Sequence, residues 1–115
     1  MDKIKVYVVD NNELNLDIIK GVIEEFYDVS YFSSAQSCID EFDFEPADIV
    51  LLDVDIPEMD GLESCRRIIE IEPLCSVIFI SSKVSDEYRI ASYDAGAYDY
   101  ILKPYNAQML LKKIK

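Results

Sequence analysis

Five short apolar runs separated by stretches of helical period leave few folds open to this chain. IKVYVV (4–9), the stretch Val29–Phe32, the aliphatic IVLL (49–52), SVIFIS (76–81) and the stretch Tyr98–Leu102 read as strands. Asn12–Phe26 lies between the first two, with an Asn start signal and Leu14, Ile18, Ile19, Val22, Ile23 and Phe26 at helical spacing. Ser34 caps a second helix reaching Phe42, whose inner stripe is Ala35, Cys38, Ile39 and Phe42. Leu62–Ile71 is a third helix with Leu62, Cys65, Ile68 and Ile69 on one side. Asp86–Ala95 is a fourth, closed by Gly96, and a fifth starts at Asn106. Strands alternating with helices call for a parallel sheet covered on both faces, an α/β three-layer sandwich. The purely aliphatic runs suit central strands buried on both sides.

With 115 residues the chain is expected to form one domain, residues 1–115, burying roughly two-thirds of its unfolded surface. A net charge of -12 argues against this domain gripping nucleic acid or an anionic membrane, and is compatible with divalent cations and basic partner surfaces. No apolar run approaches the length of a membrane span, and the N-terminal residues carry no cleavable leader, so a cytoplasmic location is expected. Cys38, Cys65 and Cys75 are widely spaced without a CxxC, and histidine is absent. A structural zinc site is therefore not expected, and the thiols read as small apolar fillers.

In a parallel α/β sheet, ligands sit beyond the carboxyl ends of the strands. Those ends carry Asp10 and Asn11 after the first strand, Asp53 after the third, Ser81 and Ser82 after the fourth, and Lys103 and Pro104 after the fifth. Each has a plain structural reading: Asp10 as a helix-start residue, Asp53 as a turn residue before Pro57 and Gly61, Ser81 as a partner for a strand-end backbone group, Lys103 as a solvated charge. Together they suggest chemistry. Carboxylates on neighbouring strand tips repel unless a cation joins them, and Mg²⁺ accepts one or two carboxylates plus water and phosphate oxygens. An Asp can then act as the nucleophile toward a phosphoryl group, with Lys103 neutralising the charge on the transferring oxygens. The Ser81 hydroxyl can bond the bound group and draw its loop inward. Asp60, before Gly61, reads as a turn and helix-capping residue.

VVDNNELN (8–15), LLDVDIPEMDGLE (51–63), FISS (79–82) and DAGAYDYILKPY (94–105), in this order and spacing, make the chain resemble the receiver domain of two-component response regulators, the family of the bacterial chemotaxis regulator. The resemblance covers essentially the whole chain. It implies a flavodoxin-like, doubly wound (βα)5 fold with strand order 2-1-3-4-5. By resemblance Asp53 is the phospho-acceptor, Asp10 and the residue at Asn11 belong to the metal site, and Asp55 stands where a backbone carbonyl joins the Mg²⁺. Ser81 is at the position of the switch hydroxyl, Lys103 at that of the family's amine, and Tyr100 at that of the aromatic that moves inward when the hydroxyl shifts. The Lys103–Pro104 peptide is implied to be cis. The implied partner is a sensor histidine kinase or histidine phosphotransfer protein, since this chain lacks histidine.

The departures from the family pattern are informative. Asn11 replaces the usual second acid of the first strand, which lowers the expected Mg²⁺ affinity; Asp55 is an unusual acid at its position and can restore negative charge nearby. The switch hydroxyl is Ser rather than Thr. Tyr88, Tyr93, Tyr98, Tyr100 and Tyr105 crowd the last third of the chain. They read either as amphipathic packing or as a homodimer and output face built from the fourth helix, fifth strand and fifth helix. Two other functions stay open on the sequence: a receiver-like binding module that signals without phosphorylation, and a small phosphohydrolase of the haloacid dehalogenase type, suggested by LLDVDI. The chain stops near the end of the fifth helix, so it is expected to be either a stand-alone regulator or the receiver part of a longer protein.

Overall fold

A computed structural model describes residues 3–57 and 59–114. Its elements run β1 (Lys5–Val9), α1 (Glu13–Ile23), β2 (Asp28–Phe32), α2 (Ala35–Phe42), β3 (Ile49–Asp53), α3 (Gly61–Ile71), β4 (Ser76–Ser81), α4 (Asp86–Asp94), β5 (Asp99–Leu102) and α5 (Ala107–Ile114). The strands form one parallel sheet in the order β2-β1-β3-β4-β5, the doubly wound topology that the resemblance implied.

The pleat sorts successive side chains into two cores. Val6, Val8, Ile49, Leu51, Ile78, Ile80 and Ile101 face the side covered by Ile19 and Ile23 of α1 and Leu110 and Ile114 of α5. Tyr7, Val9, Val50, Leu52, Val77, Phe79 and Tyr100 face the other side, under Ala35, Cys38, Ile39 and Phe42 of α2 and Cys65 and Ile68 of α3. Full burial of each large aliphatic side chain contributes about 1.5–3 kcal/mol, so the central strands β1, β3 and β4 dominate stability. All three cysteines are buried in the second core. Burial pushes the Cys38 and Cys75 thiols up to about 12 and that of Cys65 up to about 11, so they pack as neutral, unreactive groups.

The helix starts follow local chemistry. Asn12, Ser34, Asp60 and Ser85 each accept, through the side chain, a backbone N–H from the first turn of α1, α2, α3 and α4 respectively. Gly96, at φ 108°, turns the chain out of α4 in a conformation that a side chain would strain. Gly61 is required for a different reason: a Cβ there would lie 2.4 Å from Val54 Cγ1.

Three sequence expectations need correction. α1 ends at Ile23 rather than Phe26, because the chain leaves the helix there: Phe26 and Tyr27 both donate their N–H groups to the Ile23 carbonyl. Leu14, Ile18 and Phe26, expected on the inner stripe, are exposed, with Leu14 at 75%. The buried arc of α1 is instead set by Ile19 and Ile23, with Leu16 and Val22 packed beside them. Leu14 and Ile18 are four apart and share a face of their own, turned away from that arc. β5 starts at Asp99, and Tyr98 precedes it as an exposed residue.

Candidate functional site

The register brings the strand-end residues together. Val9 pairs with Leu52, so Asp10 and Asp53 stand side by side one step beyond. Ser81 pairs with Leu102, and the Lys103 N–H donates to the Ser81 carbonyl at 2.8 Å, extending that ladder to the amine. Asp10 and Asp53 are 2% and 3% exposed, and Ser81 is fully buried.

Each acid does local work with one carboxylate oxygen. Asp10 Oδ1 accepts the Asn12 N–H at 2.9 Å, and Asp53 Oδ1 accepts the Asp55 N–H at 2.9 Å. These are Asx turns, in which a side chain holds the backbone two residues on. The turn reading and the chemical reading of these aspartates are therefore compatible. On Asp53, the second oxygen receives the Lys103 ammonium at 2.8 Å.

Asp55 is more engaged than the sequence suggested. The expectation placed its backbone at the metal and its charge nearby; its carboxylate accepts the Ser82 N–H at 2.8 Å, the Ser81 hydroxyl at 3.2 Å, and an ion pair from Lys103 at 3.3 Å. Lys83 Nζ lies 3.7 Å from its other side. Partial burial works against the charge on Asp55, but the hydrogen bonds from Ser82 and the Lys103 ammonium outweigh it and hold the carboxyl below its ordinary range. Asp10 is pushed the other way, by burial first and then by the Asp53 charge, against the counteracting Asn12 N–H and Lys103. Burial lowers the proton affinity of Lys103, but the bond to Asp53 and the charges of both acids prevail and raise it, so the ammonium is firmly held.

Lys83 was not singled out from the sequence, where it is one loop lysine among several. Its N–H donates to Ser81 Oγ at 2.9 Å, its carbonyl accepts the Tyr100 hydroxyl at 3.0 Å, and its ammonium lies 4.9 Å from the centre of the Tyr88 ring. Tyr100 is buried, stacked on Phe79 at 6.1 Å, with the Arg89 guanidinium 5.4 Å from its ring centre. Beside Lys103 opens a cavity of about 510 Å³ lined by Asn15, Ile18, Ser82, Lys103, Pro104 and Tyr105. Asn11 is exposed on the same rim, and the Lys103–Pro104 peptide is cis. Asp60 caps α3 through the Glu63 N–H at 3.0 Å, as expected.

Among the described residues no three His, Cys, Asp or Glu side chains come together as a metal-holding group. The donors at the Asp10–Asp53 junction are all oxygens, and burial together with the neighbouring Asp53 charge makes Asp10 hold its proton more readily. That set fits Mg²⁺, which accepts one or two carboxylates and completes its shell with water and backbone oxygen.

Comparison with known proteins gives the family. The response regulator receiver domain family matches residues 6–115. The chain belongs to that family: it is a receiver domain of two-component response regulators. It is 31% identical over 112 residues to the nisin biosynthesis regulatory protein NisR of Lactococcus lactis, covering 96% of this chain and 48% of that protein. It is 29% identical over 113 residues to the transcriptional regulatory protein TrcR of Mycobacterium tuberculosis, covering 97% of this chain and 44% of that one. The chain thus spans about half the length of these curated relatives. Among solved structures, a CheY-like receiver domain protein from Methanospirillum hungatei superposes with a TM-score of 0.91 at 30% identity, over 98% of this chain and 91% of that one. The BeF3-activated DrrB receiver domain superposes with a TM-score of 0.88 at 31% identity, over 97% and 94%. No helix among the described residues is long and apolar enough to cross a membrane.

Proposed function

We propose that Asp53 accepts a phosphoryl group from a phosphohistidine on a partner kinase or phosphotransfer protein, in the cytoplasm, with residues 1–115 acting as one receiver unit. The observation that carries this reading is the Asp53 carboxylate, held at the end of a central strand beside Asp10 with the Lys103 ammonium 2.8 Å away. An Asp53 oxygen attacks the phosphorus; the new O–P bond forms as the donor's N–P bond breaks, and the imidazole leaves with a proton. Lys103 moves with the transferring oxygens and offsets their charge. Asp10, Asp53, the Asn11 side-chain oxygen and the Asp55 backbone carbonyl would hold Mg²⁺, which supplies positive charge against the phosphoryl oxygens when bound. The domain is then a switch rather than a turnover enzyme.

The readout face in this proposal is α4–β5–α5. Ile90, Tyr93, Tyr98 and Met109 are exposed there, and the Lys113–Asp99 ion pair at 3.2 Å ties α5 to β5. A second copy meeting this face is the proposed dimer. The test is incubation with Mg²⁺ and acetyl phosphate, read by intact-mass spectrometry. A gain of about 80 Da should appear in the wild type and be lost in Asp53→Asn. No adduct in the wild type at generous Mg²⁺ overturns the reading.

A further inference from the structure

The Asp55 carboxylate occupies a position in the bonding scheme that the phosphoryl group itself needs. A phosphoryl group on Asp53 presents three acceptor oxygens. The donors at hand on this rim are the Lys103 ammonium, 2.8 Å from Asp53, and the Ser81 hydroxyl and Ser82 N–H at the end of β4. In the structure those groups are engaged by Asp55: Ser82 N–H at 2.8 Å, Ser81 Oγ at 3.2 Å and Lys103 Nζ at 3.3 Å. Lys103 bridges Asp53 and Asp55, and the Asp53 side chain is left only 4% exposed beneath it. The loop from Ser81 to Lys83 is already braced by this anion, and Tyr100 is already buried with its hydroxyl on the Lys83 carbonyl.

We infer that the Asp55 carboxylate is a resident competitor for the phosphoryl-oxygen site, one that must be displaced when Asp53 is loaded. This rests on the phospho-acceptor reading above. Displacement frees Lys103, Ser81 and Ser82 for the new anion, and Lys83 provides the landing place for Asp55. Its ammonium lies 3.7 Å from Asp55 Oδ1 and is itself partly exposed, so it can follow the carboxylate outward. Loading then exchanges one anion for another at a preformed set of donors. The energetic consequence is a weakened hold on the incoming group, because its donors come away from existing charge-assisted bonds rather than from water.

The test uses trifluoroberyllate with Mg²⁺ as a phosphoryl mimic, titrated into wild type, Asp55→Asn and Asp55→Ala. Binding should tighten about tenfold in Asp55→Ala, the worth of one charge-assisted bond no longer broken, and by less in Asp55→Asn, which keeps an acceptor oxygen. Without the mimic, the Ser82 amide should lose hydrogen-exchange protection in Asp55→Ala and regain it on mimic binding. Should Asp55→Ala fail to fold, tightening in the isosteric Asp55→Asn decides the question in the same way. Equal or weaker binding in the variants, with the wild type binding well, overturns the competitor role and leaves Asp53 as acceptor. Binding in neither wild type nor variants removes both readings together, while binding only in the variants supports the competitor.

Discussion

The Lys103 ammonium rests 2.8 Å from Asp53 Oδ2, reaching past β4 from the tip of β5 to the tip of β3. Among the described residues no other lysine or arginine pairs with Asp53, and the Lys103 charge lies against two buried acids on neighbouring strands. Replacing it with an apolar side chain of similar length leaves the Asp10–Asp53 repulsion uncompensated. Lys103→Met should lower stability by about 1–2 kcal/mol, less than for a wholly buried pair because the Lys103 side chain is 22% exposed. Urea unfolding in the presence of a chelator measures this, and phosphoryl acceptance from acetyl phosphate should fall together with it. An unchanged midpoint would remove Lys103 from the stabilising role.

Asp10 links stability to pH in a definite direction. The folded domain holds the Asp10 proton more tightly than the unfolded chain does, because burial and Asp53 raise its carboxyl above the ordinary value. Stability contributed by this group is therefore present at low pH and declines as the pH climbs from the ordinary carboxylate range through the raised value. Asp10→Asn abolishes that decline. With divalent cations chelated, the variant should be more stable than the wild type at pH 7, with the gap closing as the pH falls into the ordinary carboxylate range. A chemical-denaturation series across that range decides it, and a variant less stable than the wild type at neutral pH contradicts the assignment.

Gly61 sits where no side chain fits. Its ideal Cβ would lie 2.4 Å from Val54 Cγ1, just after β3, and 3.0 Å from the hydroxyl of Tyr88 on α4. Gly61→Ala should cost about 1–3 kcal/mol through overpacking despite the better helix propensity of alanine. Shortening Val54 to Ala in the same chain should recover part of that loss. A double-mutant cycle reads the coupling, and strictly additive losses would show that the two do not compete for space.

Asp60 separates capping from chemistry. Its side chain accepts the Glu63 N–H at 3.0 Å, and its carbonyl accepts the Ser64 hydroxyl at 2.8 Å. Asp60→Ala should cost about 1 kcal/mol of stability, with Asp60→Ser recovering most of it. Mg²⁺ affinity, followed by calorimetry, should stay as in the wild type for both. A large loss of metal binding would give Asp60 a part at the rim that its geometry does not suggest.

The sheet was legible in the sequence because its central strands are buried on both faces, and such strands appear as unbroken aliphatic runs such as IVLL. The rim was legible for the same reason: once those runs are parallel, the residues after them share an edge, and Asp10, Asp53, Ser81 and Lys103 follow by position. Helix faces were harder. In α1 the residues Leu14 and Ile18 satisfy the same i, i+4 spacing as Ile19 and Ile23, and periodicity alone does not say which stripe meets the sheet. The grip of Asp55 on Ser81 and Ser82 was beyond reach, since it joins residues 26 and 27 positions apart through side-chain orientation in two loops. Lys83 was overlooked because its significance lies in its backbone groups as much as in its ammonium.

Among the described residues the buried acids Asp10 and Asp53 stand at the carboxyl ends of the strands, while the side chains packed between sheet and helices are aliphatic, aromatic and cysteine. Load-carrying interior and reactive edge thus draw on almost separate sets of positions. If the rim acts as proposed, substitutions of acids, amides and hydroxyls along that edge alter its chemistry while the packing beneath keeps the fold.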